Sequence, residues 1–207
     1  MRQARGRRAT RRRGGFTALE AIIATGLFAV LAVNLTLLTR ATQRGTAQQD
    51  ELVKLEVLAS QTLDRLTLAL MSARQEAIEP LEPAPFNDAE IRYVISNGID
   101  EAGNLVWSDP EAVGLDPENN EVVWRRNPNT DEELRVIWGK HVSEAALNET
   151  LGNLVDDNGD QLIDEAGLSF HLDDNGQSVV IQLSLARQTD AGNWIRHSTR
   201  QRVAFRN

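Results

Sequence analysis

Along the chain the hydrophobic pattern changes its period twice. From Phe16 to Leu38 the residues are apolar or small apart from Glu20, Asn34 and three threonines. As a helix rising 1.5 Å per residue, this run spans roughly 34 Å, enough to cross a bilayer core of about 30 Å. Beyond it Leu52, Leu55, Ala59, Leu63, Leu66 and Leu70 recur three or four apart, with polar residues between them. That spacing predicts an amphipathic continuation of the helix over 39–79. The leucine stripe reads as a core-packing face, with a coiled-coil partner face as the alternative. Gly45, within QRGTAQQ, marks an expected bend or local melting. Pro80, Pro83 and Pro85 end the helix near 78 and open a Pro-rich linker over 80–90.

From residue 91 the period shortens to two. Strands are predicted at 91–96 (IRYVIS), 104–107 (NLVW), 121–126 (EVVWRR), 134–139 (LRVIWG), 168–172 (LSFHL), 178–187 (SVVIQLSLAR) and 193–205. DDNG at 173–176 and TDAG at 189–192 read as hairpin turns, because Gly, Asn and Asp tolerate positive φ. The last three strands then form an antiparallel meander. The fold class is α+β: a long N-terminal helix, part membrane span and part amphipathic, packed on an antiparallel β-rich domain over 91–207. Trp107, Trp124, Trp138 and Trp194 fall in strand segments. They read as core or half-buried sheet residues, with an aromatic ligand platform as the alternative.

Charge sharpens the picture. The 207-residue chain has a formal charge of −8, yet residues 1–15 hold seven arginines and no acid. Removing those seven positive charges leaves −15 from Phe16 onward. So acidic a domain argues against nucleic-acid binding, which needs Lys and Arg against phosphate. Next to an apolar span, the arginines of the 1–15 leader read as an orientation signal that stays cytoplasmic. The C-terminal domain is then expected across the membrane. The chain has no cysteine, which excludes disulfides, thiolate metal sites and cysteine nucleophiles.

An ordinary secretory signal has a shorter apolar core followed by small residues at its cleavage site. Here Gly14 and Gly15 precede the apolar run. Glu20 raises a second question, because a charge within a membrane helix is costly and calls for a partner. The span from Phe16 to Leu38 contains no Lys or Arg. A cut after Gly15 would create an ammonium group at Phe16, four residues from Glu20 on the same helix face.

The stretch RGGFTALEAIIATGLFAVLA resembles the N-terminus of type IV prepilins and of the pseudopilins of type II secretion systems. The resemblance covers about residues 11–40. It implies cleavage between Gly15 and Phe16 by a prepilin peptidase, and methylation of the new N-terminus at Phe16. It also implies that Glu20 neutralises the N-terminus of a neighbouring subunit during assembly in a bacterial inner membrane. The expected partners are therefore other pilin or pseudopilin subunits, met through the N-terminal helix. The closing VAFRN resembles the ends of minor and J-type pseudopilins.

One further stretch carries chemistry. In DDNGDQLIDEAG (156–167), Asp156, Asn158 and Asp160 alternate and are followed by Asp164 and Glu165. Calcium loops place oxygen ligands at alternate positions, then a backbone carbonyl, then a closing carboxylate. Leu162 stands at the carbonyl position, and Ile163 where such a loop anchors an apolar side chain. The segment resembles an EF-hand-like loop, although Gln161 replaces the usual glycine and Gly167 the usual closing glutamate. A shortened loop closed by Glu165 is expected to bind a structural Ca²⁺; an acidic surface turn is the alternative. The acids around Asp100, Glu101, Asp109, Asp116 and Glu118 lack the alternation and read as solvated loop.

No enzyme constellation stands out. His141, His171 and His197 are scattered, with no nucleophile elbow and no phosphate-binding glycine loop. The expectation is a structural filament subunit of the pseudopilin or pilin kind. The alternative is a membrane-anchored calcium-binding recognition module.

Overall fold

The computed structural model describes residues 17–80, 82–173, 176–189 and 192–205. The 1–15 leader and Phe16 lie outside the described residues, so the expected cleavage at Gly15 and Phe16 falls outside them too. The chain forms two compact units, Met1–Ala47 and Gln48–Asn207. The first helix, α1 (Ala18–Ser72), is common to both.

α1 is helical through Gly45, where a break is expected. A single glycine costs only about 1 kcal/mol in a helix. Its neighbours Arg44, Ala47, Gln48 and Gln49 are good helix formers, and the hydroxyls of Thr42 and Thr46 bond to carbonyls four residues back. The helix ends at Ser72, earlier than the prolines alone suggest, and a 3-10 turn follows at Gln75–Ala77. The Ala73 backbone already pairs with Ile95, so the chain leaves the helix to meet a strand.

Among the described residues of the second unit, nine strands form three antiparallel sheets. The first contains β1 (Glu90–Tyr93), β4 (Glu111–Asp116), β5 (Glu121–Arg126) and β6 (Leu134–Lys140), in the order β1-β4-β5-β6. A short ribbon pairs β2 (Ser96–Ile99) with β3 (Leu105–Trp107). The third is the expected meander of β7 (Leu168–Leu172), β8 (Ser178–Gln188) and β9 (Trp194–Ala204). β8 and β9 stay in register from Ser178 opposite Ala204 to Gln188 opposite Trp194. The fold is therefore α+β, with a long N-terminal helix packed on antiparallel sheets.

Leu55, Ala59, Leu63, Leu66 and Leu70 are buried along one face of α1. They form one core with Ile91 and Tyr93 of β1, Val113 of β4, Val122 and Trp124 of β5, and the inward residues of β7 and β8. The stripe is thus a core face. Arg65 donates to the Trp138 carbonyl at 2.9 Å, and Arg187 of β8 pairs with Glu51 at 3.0 Å. Both contacts tie the helix to the sheets.

β4 was not expected, because its flanking acids suggested a loop. Within it, Ala112 and Val113 are fully buried. Gly114 lets β1 approach closely: a Cβ there would lie 2.7 Å from Glu90 Cβ. Asp100 and Asp116 are turn-shaping acids. Asp100 accepts from the Ala102 and Asn104 amides at 2.9 and 2.8 Å, and Asp116 accepts from the Glu118 amide at 3.1 Å and pairs with Arg135. The 80–90 segment is also more than a linker. Pro83 bridges to Leu172, and Asp88 and Phe170 exchange backbone hydrogen bonds of 2.9 and 2.8 Å. Trp124 and Trp138 stack with centroids 6.0 Å apart, whereas Trp194, at the start of β9, is 61% exposed.

At Gly139 α1 packs tightly against β6. A Cβ there would meet Thr62 Oγ1 at 2.7 Å and Thr62 Cγ2 at 2.9 Å. Gly139→Ala is predicted to lower stability by about 1–3 kcal/mol through overpacking. Thr62→Ala removes both clashing atoms, so the double variant should recover most of that loss in denaturant melts of the detergent-solubilised chain. Additive losses would show that the helix does not pack there. Leu66→Ala, which opens a cavity in the core, should cost about 2–5 kcal/mol in the same melts.

Candidate functional site

Two places carry chemistry, one in each unit. The first is the start of α1. Thr17 precedes the helix, and its hydroxyl accepts from the Glu20 amide at 3.3 Å. In return, Glu20 Oε2 accepts from the Thr17 amide at 2.9 Å and from the Thr17 hydroxyl at 3.0 Å. This is a reciprocal capping box, which satisfies helix-end donors and places a carboxylate where the helix dipole favours it. Among the described residues Glu20 forms no ion pair. Thr17 was missed as a functional residue, although the Thr-x-x-Glu spacing before an apolar run is its sequence signal.

The following turns are apolar on every side. Leu19, Ile22, Ile23, Leu27, Phe28, Val30, Leu31, Val33, Leu35, Leu37 and Leu38 are all exposed. The helix is long and apolar enough to cross a membrane. Its polar side chains turn back on the helix: Thr25 donates to the Ala21 carbonyl at 2.7 Å, Asn34 to Val30 at 3.0 Å and Thr36 to Ala32 at 2.8 Å. Such back-bonding hides hydroxyl and amide donors from hydrocarbon, where an unmet donor is costly. Glu20 is the one acid or base among the described residues before Arg40.

The second place is the acidic loop at 156–165. Asp156, Asn158 and Asp160 are half-buried, while Asp157, Gly159 and Gln161 between them are exposed. The alternate residues therefore share the inner side of the loop. Asp156 accepts from the amides of Gly159 at 2.6 Å and Gln161 at 2.8 Å, curling the chain around its carboxylate. Asn158 Oδ1 accepts from the Asp160 amide at 2.9 Å, and Asp160 from the Leu162 amide at 3.1 Å. Gln161, standing where a glycine was looked for, takes a left-handed φ of 75° and fits the turn.

Glu165 lies beneath this curl with its side chain wholly buried. Its Oε1 accepts from Asn158 Nδ2 at 3.2 Å, and its Oε2 meets no hydrogen-bond partner. Burial, with Asp160 adding to it, pushes the Glu165 carboxyl up to about 7. Asp164 turns elsewhere: it accepts from the Asn153 amide at 2.9 Å and the Leu154 amide at 3.2 Å. Leu162, not Ile163, is the apolar anchor, at 1% exposure. Ile163 is held by its backbone, donating to Pro85 at 3.1 Å and accepting from Asn87 Nδ2 at 2.8 Å.

Glu149 completes the loop and escaped the sequence reading. It is buried, accepts from the Asp164 amide at 3.3 Å, and leaves Oε2 without a partner. Burial raises its carboxyl above the usual range, opposed by the nearby Asp157 and Asn158 amides. Glu149 thus faces both ends of the loop. No local pattern announces it, since it lies outside the alternating motif. Among the described residues, no three His, Asp or Glu side chains gather as a ready-made metal cluster.

Comparison with known proteins finds no matching family model, no matching curated protein and no matching solved structure. His171 is in β7 beside Arg200 at 3.0 Å, whereas His141, which follows β6, and His197 of β9 line one cavity.

Glu149→Ala is predicted to free the ends of the acidic loop. Amide exchange at Asp164 should speed up roughly tenfold, as expected from losing a buried charge-assisted bond. Unchanged exchange there, measured by mass spectrometry, would show that Glu149 does not hold the loop.

Proposed function

We propose that this chain is a membrane-anchored structural subunit, a minor pseudopilin-like or pilin-like component of a bacterial inner-membrane filament. Such filaments serve type II-like protein secretion or type IV pilus assembly. The reading rests on one observation: among the described residues, Glu20 is the sole charge before Arg40, in a helical segment that is otherwise apolar on every side. The likeness of RGGFTALEAIIATGLFAVLA to prepilin N-termini supports it.

In this reading a prepilin peptidase cuts between Gly15 and Phe16, and the arginine-rich leader stays cytoplasmic. The new ammonium group at Phe16 lies beside Glu20 or against the Glu20 of a neighbouring subunit. Thr17 holds the carboxylate at the helix end before a partner arrives. Attraction between the two charges then sets the axial register of adjacent helices, because an acid in hydrocarbon is stabilised only when it is matched. The apolar faces from Leu19 to Leu38 supply the packing surface. The acidic domain is displayed on the far side of the membrane. Chemistry of catalytic type has no part in this role.

Capping and charge are separable by substitution. Glu20→Gln keeps a hydrogen-bonding group at the third helical position but removes the charge. It is predicted to abolish incorporation into filaments in the native host, as Glu20→Ala should, while the mature domain still accumulates in the membrane. Wild-type assembly by Glu20→Gln would reduce Glu20 to a helix cap. Mass analysis of the membrane-purified protein should show a chain beginning at a methylated Phe16; an intact leader would overturn the proposal.

A further inference from the structure

We propose that the 156–165 loop is a divalent-cation site of calcium character, with Asp156, Asn158, Asp160 and Glu165 as side-chain ligands and Glu149 as the positioning residue. The assignment goes beyond the filament reading and does not depend on it.

An acidic turn at a surface needs no ion, because water solvates its carboxylates. This loop differs in its floor. Glu165 is wholly buried, sits against Asn158 and Asp160, and has an oxygen with no partner. A buried carboxylate of that kind is costly unless a positive charge meets it. Among the described residues none does. Between Lys140 and Arg187 there is no Lys or Arg, although that stretch holds nine acids. Among the described residues no ion pair reaches Glu149, Asp156, Asp160, Asp164 or Glu165. The compensating charge therefore comes from outside the chain.

The donor set selects the type of ion. All candidate ligands are oxygens, with neither thiolate nor imidazole, which excludes the soft-metal preference. They mix carboxylates and an amide. Calcium accepts such mixed shells of six to eight oxygens with loose geometry, whereas magnesium demands a tight octahedron and releases water reluctantly.

Asp164 leaves the ligand set that its sequence position suggested, since its oxygens hold amides of the preceding turn, at Asn153 and Leu154, whereas those of Asp156 hold amides within the loop itself. It instead shapes the preceding turn, where Leu154 is 76% exposed with a φ of 57°. Glu149, facing the 157–158 amides and Asp164, fixes the separation of the loop's two ends. An ion in the loop would thus fasten the 146–149 turn and the Leu162 anchor to β7, which begins at Leu168.

The test uses the full chain in detergent micelles, stripped with chelator and held in 150 mM NaCl. Titration with CaCl₂ should release heat with one site per chain and raise the melting temperature by roughly 5 °C or more at saturation. MgCl₂ should bind at least tenfold more weakly. Asp160→Asn keeps the acceptor for the Leu162 amide, so it should stay folded yet lose calcium affinity at least tenfold. Glu165→Gln should abolish the calcium-induced shift and, in chelator, melt above the wild type, because an unmet buried acid is gone. Glu132→Gln, in the exposed loop before β6, should bind as the wild type does. No heat and no shift with CaCl₂ would overturn the site, as would wild-type affinity in both loop variants. Equal binding of MgCl₂ would overturn its calcium character.

Discussion

The soluble unit depends on one seam, the face of α1 that carries Leu55, Ala59, Leu63, Leu66 and Leu70. Both larger sheets send residues to it, so neither has a core without the helix. This places a steric demand on what faces it. Gly139 is there because the helix comes within van der Waals reach of β6 at Thr62. The seam also covers one face of β8, a strand that is buried over eight consecutive residues instead of alternating. One face of β8 enters the helix core; on the other, Ser184 meets Ser198 at 2.9 Å, and His171 and Arg200 meet across the neighbouring strands.

The N-terminal unit obeys a different constraint. Among its described residues, Thr25, Asn34 and Thr36 are satisfied within one helix, as a segment able to enter hydrocarbon requires, since it could not rely on water there. Threonine and asparagine manage this by bonding to carbonyls four residues back. A carboxylate cannot, since it has no proton to donate. Glu20 solves the problem only because it lies within the first turn, where free amides are available. Its place at the helix end is thus a physical condition for carrying a charge in so apolar a segment.

The acidic loop poses the same electrostatic problem without a helix end nearby. Asp156, Asn158 and Asp160 were legible from their alternation, because an extended turn sends every second side chain the same way. Glu165 was legible only as a nearby acid; its burial follows from its place just before β7, under the loop. Asp164 and Ile163 were misplaced by the same reasoning. A left-handed φ of 54° at Asp164 turns its side chain toward Asn153 and moves the apolar anchor to Leu162. Local periodicity does not carry such reversals. Glu149 could not be read at all, since it meets the loop across a fold that brings residue 149 beside 164.

What the sequence determined by itself is whatever depends on near neighbours. The apolar run, the helical stripe, most strand segments and the final meander follow from side-chain period, which backbone geometry imposes within a few residues. The tertiary structure alone decided the rest. It recruited EAVGLD as the strand between β1 and β5, drew the proline segment onto β7, and carried α1 through Gly45. In each case a long-range or cooperative gain outweighs a weak local preference. A strand flanked by acids forms because Ala112 and Val113 are buried, and no count of local residues contains that energy.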